Sequence, residues 1–410
     1  MAAWSKWIGV GTATGIILAL VPVVRGNIKL EDALSKATSS SGSSSRGDAK
    51  GPNLKGLDLL RLRLQPRRVT SPLPDGRTAE LTLDPALQRA ALSVMKKYRV
   101  PEAGAVLMDV KSGELLVYAS YVNEGPKLDL NVQVEAPVAS VFKVITASAL
   151  VENAHLTAKT EQCYHGGRSR ISADELEEDP ARDKWCATLA AAMGRSLNVV
   201  FARLAQKHLT PEELEAMAGS YGFNAPIPFD VPTQKPTVDI PAEPLEFART
   251  SAGFWHSKMS PLQGVSIAQT VANAGVAVRP RIVRSITKDR EVEWEWDGKP
   301  EVMRRTIKPE TAKELTRMML QTVHNGSAYK QFHDKRGHAF IPNIHVAGKT
   351  GTLTAHKANR HYTWFVGFAP AEKPEVAVSV LVVNTPIWRI KGPMLAREVL
   401  RAYFEQRGKK

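Results

Sequence analysis

Ser140 and Lys143 stand three residues apart in Ala139-Ser140-Val141-Phe142-Lys143-Val144-Ile145, at the head of an apolar run. On a helix that spacing puts both side chains on one face. Val141, Ile145 and Ala149, each four apart, line a second face against a core. A serine hydroxyl is a poor nucleophile until a neighbour takes its proton, and a desolvated lysine, or one placed beside another cation, is neutral enough to do so. β-Rich sequence lies just before this run, so the pair is expected at a helix start beside a sheet.

Two later stretches narrow the choice: Ser196-Leu197-Asn198 and Lys349-Thr350-Gly351. Ser-x-x-Lys, then Ser-x-Asn, then Lys-Thr-Gly is the signature of penicillin-binding proteins and serine β-lactamases, and the chain resembles the penicillin-binding transpeptidases. The resemblance runs from about Thr82 onward. Thr82-Leu83-Asp84-Pro85-Ala86-Leu87-Gln88 is similar to the entry of that family's domain, and Ala105 to Ser120 to its first hairpin. Ser260-Pro261-Leu262-Gln263 with Ala272-Asn273-Ala274-Gly275 resembles the helix before the last strands, and Trp364 to Pro370 the strand after Lys-Thr-Gly.

The resemblance implies an α+β fold, an antiparallel five-stranded sheet flanked by helices plus a mainly helical subdomain, to which the apolar N-terminal run is expected to add a transmembrane helix. It implies a D,D-transpeptidase that cross-links peptidoglycan stem peptides through a serine acyl-enzyme and is blocked by β-lactams. In these roles Ser140 attacks, Lys143 takes its proton, Ser196 and Lys349 relay a proton to the leaving D-alanine, and Asn198 orients Lys143 and the substrate amide. Thr350, Gly351 and Thr352 receive the substrate on a strand edge, and the backbone N–H groups of Ser140 and Thr352 form an oxyanion hole. A D,D-carboxypeptidase or β-lactamase would use the same acyl-enzyme with water as acceptor, and a penicillin sensor would keep the fold without turnover. Glu212, Glu213 and Glu215 follow Ser196, but no Glu-x-x-Leu-Asn pattern supplies a deacylating carboxylate of the lactamase kind. No cofactor is called for, and no metal, since His333 and His338 lack a recognisable third ligand.

A chain of 410 residues with net charge +14 holds one large or two modest domains and suits an anionic neighbour, a membrane surface or wall polymer. No zinc spacing, phosphate loop or aromatic-interleaved basic stretch points to nucleic acid. Trp7 to Val24 is an uncharged run after Lys6, long enough at the limit to span a bilayer. Residues 1–26 are therefore expected to anchor the chain, or to act as an uncleaved signal, with one pass through the bacterial cytoplasmic membrane. The catalytic part would then face the periplasm. Export lets Cys163 and Cys186 pair, contributing about 3 kcal/mol, although two separate buried thiols are the alternative.

Residues 27–75, with Ser and Gly enriched between Ser35 and Asn53 and arginines at 61, 63, 67 and 68, read as a flexible linker to a domain at 76–410. The space before Thr82 is too short for a further domain of typical size, so a separate glycan polymerase is the expected partner. Helices are expected at Asp84–Tyr98, with Asp84 as N-cap, and at Thr188–His208, 211–223, 260–274, 308–324 and 393–406. Strands are expected at 103–110, 114–120, 276–286, 344–352, 362–368 and 375–384. Residues two apart do not share a helix face, so Ser196 and Asn198 converge only if the helix breaks near 195–198.

Overall fold

Alternating apolar residues build the central sheet, whose two faces are both covered. In this computed structural model, which describes residues 51–167, 170–355 and 358–408, it has strands β1 (Glu102–Asp109), β2 (Leu115–Val122), β3 (Ala347–Ala355), β4 (Arg360–Ala369) and β5 (Val376–Asn384). All neighbours are antiparallel in the order β3-β4-β5-β1-β2. Every residue of β5 is buried. Val376, Val378, Val380 and Val382 turn to one core, and Ala377, Leu381 and Val383 to the other. Burying each valine or leucine among them stabilises the fold by about 1.5–3 kcal/mol.

Helices α1 (Pro85–Lys97) and the C-terminal Gly392–Arg407 cover the first face. Asp84 caps α1 by accepting from Ala86 and Leu87 N–H, and Leu87, Ala91 and Met95 point inward as their spacing predicts. On the other face lies Pro261–Ala272, buried on all sides, where Gly264 lies so near Ser379 that a Cβ would meet its hydroxyl at 2.3 Å. Beyond it stands the helical layer: α2 (Lys143–Ala154), α3 (Leu189–Arg195), α4 (Asn198–His208), α5 (Pro211–Ser220), α6 (Pro244–Ser251) and, after the Pro261–Ala272 helix, α7 (Pro309–His324). The α+β reading with a helical subdomain matches this architecture.

Three expectations are corrected. The flexible linker does not run to residue 75: from Pro52 the chain belongs to the compact unit, and Val69, Thr70 and Ser71 are buried. Strands Val69–Pro72 and Thr78–Leu81 join Val283–Lys288 in a second sheet, a pairing across some 200 residues that local pattern does not announce. The single strand expected over 276–286 is two, Val276–Val278 and Val283–Lys288, in different sheets, because Pro280 interrupts the ladder. Ser140 lies in a 3₁₀ turn, Ala139–Phe142, and α2 begins only at Lys143. The expected anchor at residues 1–26 lies outside the described residues, among which no helix is long and apolar enough to cross a membrane.

Candidate active site

The short strand Ala136–Pro137 pairs with Ser257–Met259 and delivers the chain into a turn where Ala139 adopts φ 52°. Left-handed backbone is unfavourable for alanine, so the surrounding structure must hold it. Part of that hold is Gly253, at φ 88°, where a Cβ would stand 2.3 Å from the Ala139 carbonyl oxygen and 3.0 Å from Ser140 Cα. In the 3₁₀ turn that follows, residues three apart eclipse. Ser140 therefore sits over Lys143, with Oγ 2.9 Å from Nζ.

Lys143 is fully buried. Its Nζ also reaches Asn198 Oδ1 at 2.8 Å and the main-chain oxygen of Ala252. A neutral amine has two N–H groups and one lone pair. In that form the two carbonyl oxygens, which can only accept, would take the two N–H groups and leave the lone pair for the Ser140 hydroxyl. Burial, and then the positive charge of Lys349, hold the Lys143 pKa well below its ordinary 10.5. The chemistry open to this arrangement is removal of a serine proton by an amine.

The second motif owes its shape to a helix break. Ser196 ends α3 at φ 59° and ψ 44°, Leu197 is extended, and α4 starts at Asn198. That corner lets Ser196 and Asn198 serve two different lysines. Lys349, fully buried in β3, donates to Ser196 Oγ at 2.8 Å and to its neighbour's carbonyl, Thr350 O, at 3.0 Å. Burial pushes its pKa down to about 7. Gly351 is buried where a Cβ would come 3.2 Å from both Trp364 and the Val138 carbonyl, and Trp364 Nε1 donates to Pro137 O at 2.9 Å. The third strand is thereby laid against the nucleophile turn. Thr352 is exposed on β3 opposite Thr363, and Thr350 Oγ1 lies 2.6 Å from Ser327 Oγ.

Cys163 and Cys186 are not in this cluster. They face each other across the paired strands Glu161–Tyr164 and Trp185–Thr188 and are bonded, and Thr188 goes on to cap α3. Glu161 lies beside them, but both sulfurs are spent on the disulfide. His338 faces Asp334 at 3.1 Å and His333 stacks on Tyr329. Three contributors were not legible in advance: the Ala252 carbonyl, Gly253 and Ser327. A carbonyl has no sequence signal at all, and neither Gly253 nor Ser327 stands in a motif that singles it out.

The profile of the penicillin binding protein transpeptidase domain matches residues 103–404. The chain belongs to this family. Among its relatives is the peptidoglycan D,D-transpeptidase PbpA of Mycobacterium tuberculosis, 28% identical, with 87% of this chain and 78% of that one aligned. The stage V sporulation protein D of Bacillus subtilis is 26% identical over 77% of this chain and 51% of its own length. The D,D-transpeptidase domain of a peptidoglycan glycosyltransferase from Eggerthella lenta superposes with a TM-score of 0.66 at 25% identity, covering 81% of this chain and 84% of that one. The penicillin-binding fold thus accounts for the sheet and the helical layer.

Proposed function

We propose that this chain is a D,D-transpeptidase in which Ser140 Oγ attacks the carbonyl carbon of a stem peptide ending in D-Ala-D-Ala. The observation that carries the reading is the fully buried Lys143 amine, 2.9 Å from Ser140 Oγ and within hydrogen-bond reach of the carbonyl oxygens of Asn198 and Ala252. As the Oγ–C bond forms, the serine proton passes to Lys143 Nζ. The C–N bond to the terminal D-alanine then breaks, and the leaving amine receives a proton from Ser196 Oγ, which Lys349 replenishes at 2.8 Å. Backbone N–H groups of Ser140 and Thr352 take the charge that develops on the carbonyl oxygen; removing one such donor costs about a hundredfold in rate. Thr350 and Thr352 on the β3 edge receive the substrate, and an amine of a neighbouring stem peptide resolves the ester into a cross-link.

Hydrolysis in the lactamase manner gains no support from the glutamates after Ser196. Glu213 is occupied at the start of α5, where its carboxylate accepts from Thr210 N–H at 2.9 Å. The uncharged stretch within residues 1–26 and the disulfide of Cys163 and Cys186 favour a periplasmic catalytic unit tethered to the cytoplasmic membrane. There a separate glycan polymerase would supply the strands.

The test is labelling of the full chain with a fluorescent penicillin, followed by product analysis on a lipid-linked disaccharide peptide. Wild type is expected to carry a stable label that Ser140→Ala lacks, and to yield cross-linked dimers. Label on the alanine variant, or rapid release of opened antibiotic, would remove the transpeptidase reading.

A further inference from the structure

From the contacts of Ser327, and resting on the transpeptidase reading, we infer that it is a positioning residue for the substrate's terminal carboxylate, acting through Thr350. It follows Asn325-Gly326 at the end of α7 and lies exposed beside the half-buried Thr350. Two contacts join it to both later motifs. Its backbone N–H donates to the Gly194 carbonyl at 2.9 Å, two residues before Ser196, and its hydroxyl meets Thr350 Oγ1 at 2.6 Å.

The backbone half of this clip is built for close approach. A Cβ on Gly326 would stand 2.2 Å from the Gly194 oxygen, and one on Gly194 would stand 2.6 Å from the Gln321 side chain. Small residues at both points let the α7 end lie directly on α3. Ser327 is thereby fixed by main chain, and its hydroxyl is free to act on β3.

The hydroxyl half sets a direction. A carboxylate only accepts, so Thr350 must turn its single proton toward it. The short contact with Ser327 then has to run the other way, with Ser327 donating to Thr350 Oγ1. A Ser327–Thr350–carboxylate chain of O–H donors results, each strengthening the next. Lys349, bonded to Ser196 and to the Thr350 carbonyl, ties the same strand to the second motif. The ligand class is a peptide or β-lactam carrying a free carboxylate next to the scissile amide.

The test compares acylation rates of wild type, Ser327→Ala and Ser327→Thr with a fluorescent penicillin and with its carboxylate methyl ester. Alanine keeps the backbone clip and removes only the hydroxyl. The acid should react about tenfold more slowly with Ser327→Ala, the scale of one hydrogen bond to a charged network. The ester should react with wild type and Ser327→Ala alike, and threonine should restore the rate with the acid. Equal losses with acid and ester, or no loss with either, would overturn the inference while leaving the function standing. Absence of label on wild type itself would instead remove the transpeptidase reading and this one with it.

Discussion

Two buried lysines that feel each other's charge define the chemistry at the scale of single residues. Lys349 has its pKa pushed down to about 7 by burial, against an ordinary value of 10.5. Between those values the unfolded chain binds a proton there that the folded chain does not. Stability therefore rises with pH through that window and falls as pH drops toward 7. The depressed pKa of Lys143 acts in the same sense. Replacing Lys349 with methionine removes one of the two contributions. Melting temperatures measured at intervals from pH 7 to 10 should rise less steeply for Lys349→Met than for wild type. A variant whose curve parallels wild type would mean that Lys349 is not desolvated as its burial implies.

Elements decide whether those residues meet, and there the sequence is an uneven guide. Ser140, Lys143, Ser196, Asn198 and Lys349 carry reactive groups, so their types and order pointed to a shared site, and the need for a corner before Asn198 followed from helix periodicity alone. The support under the nucleophile turn did not follow. Gly253 touches the nucleophile turn through backbone, 110 or more residues away, with no side chain to give it a pattern. The sheet formed by residues 63–81 and 283–295 was hidden for a similar reason, since each strand is short and its partner distant. The importance of the Gly253 contact is measurable. Gly253→Ala adds a methyl group 2.3 Å from the Ala139 oxygen at a φ of 88°, so the turn must move. We expect a loss of about 1–3 kcal/mol in stability and a fall in penicillin acylation of at least tenfold in the protein that remains folded. Unchanged acylation would show that Ser140 reaches Lys143 without this support.

Across the whole molecule, the excursion between Glu161 and Thr188 is fixed twice over, once to itself and once to the helical layer. One hold is the disulfide of Cys163 and Cys186, 23 residues apart. The other is Arg203, a buried residue of α4, which donates to the carbonyls of Cys163, Glu175 and Glu177 and forms a 2.7 Å ion pair with Asp183. The same helix begins with Asn198, a partner of Lys143, and the excursion ends in the residue that caps α3, so both holds bear on the second motif. They differ in kind. The covalent link acts mainly by restricting the unfolded chain, contributing about 3 kcal/mol for a loop of this size, whereas Arg203 acts only in the folded state, where it satisfies main-chain acceptors. Replacing both cysteines by serine should therefore lower unfolding stability by about 2–4 kcal/mol while acylation well below the transition stays within a few-fold of wild type, because Arg203 still seats the excursion. Denaturant titration and penicillin labelling of the same preparation separate the two effects. If labelling collapsed with the fold intact, the disulfide would be positioning Ser196 and Asn198 itself, and the redox state of the compartment would govern the chemistry as well as the stability.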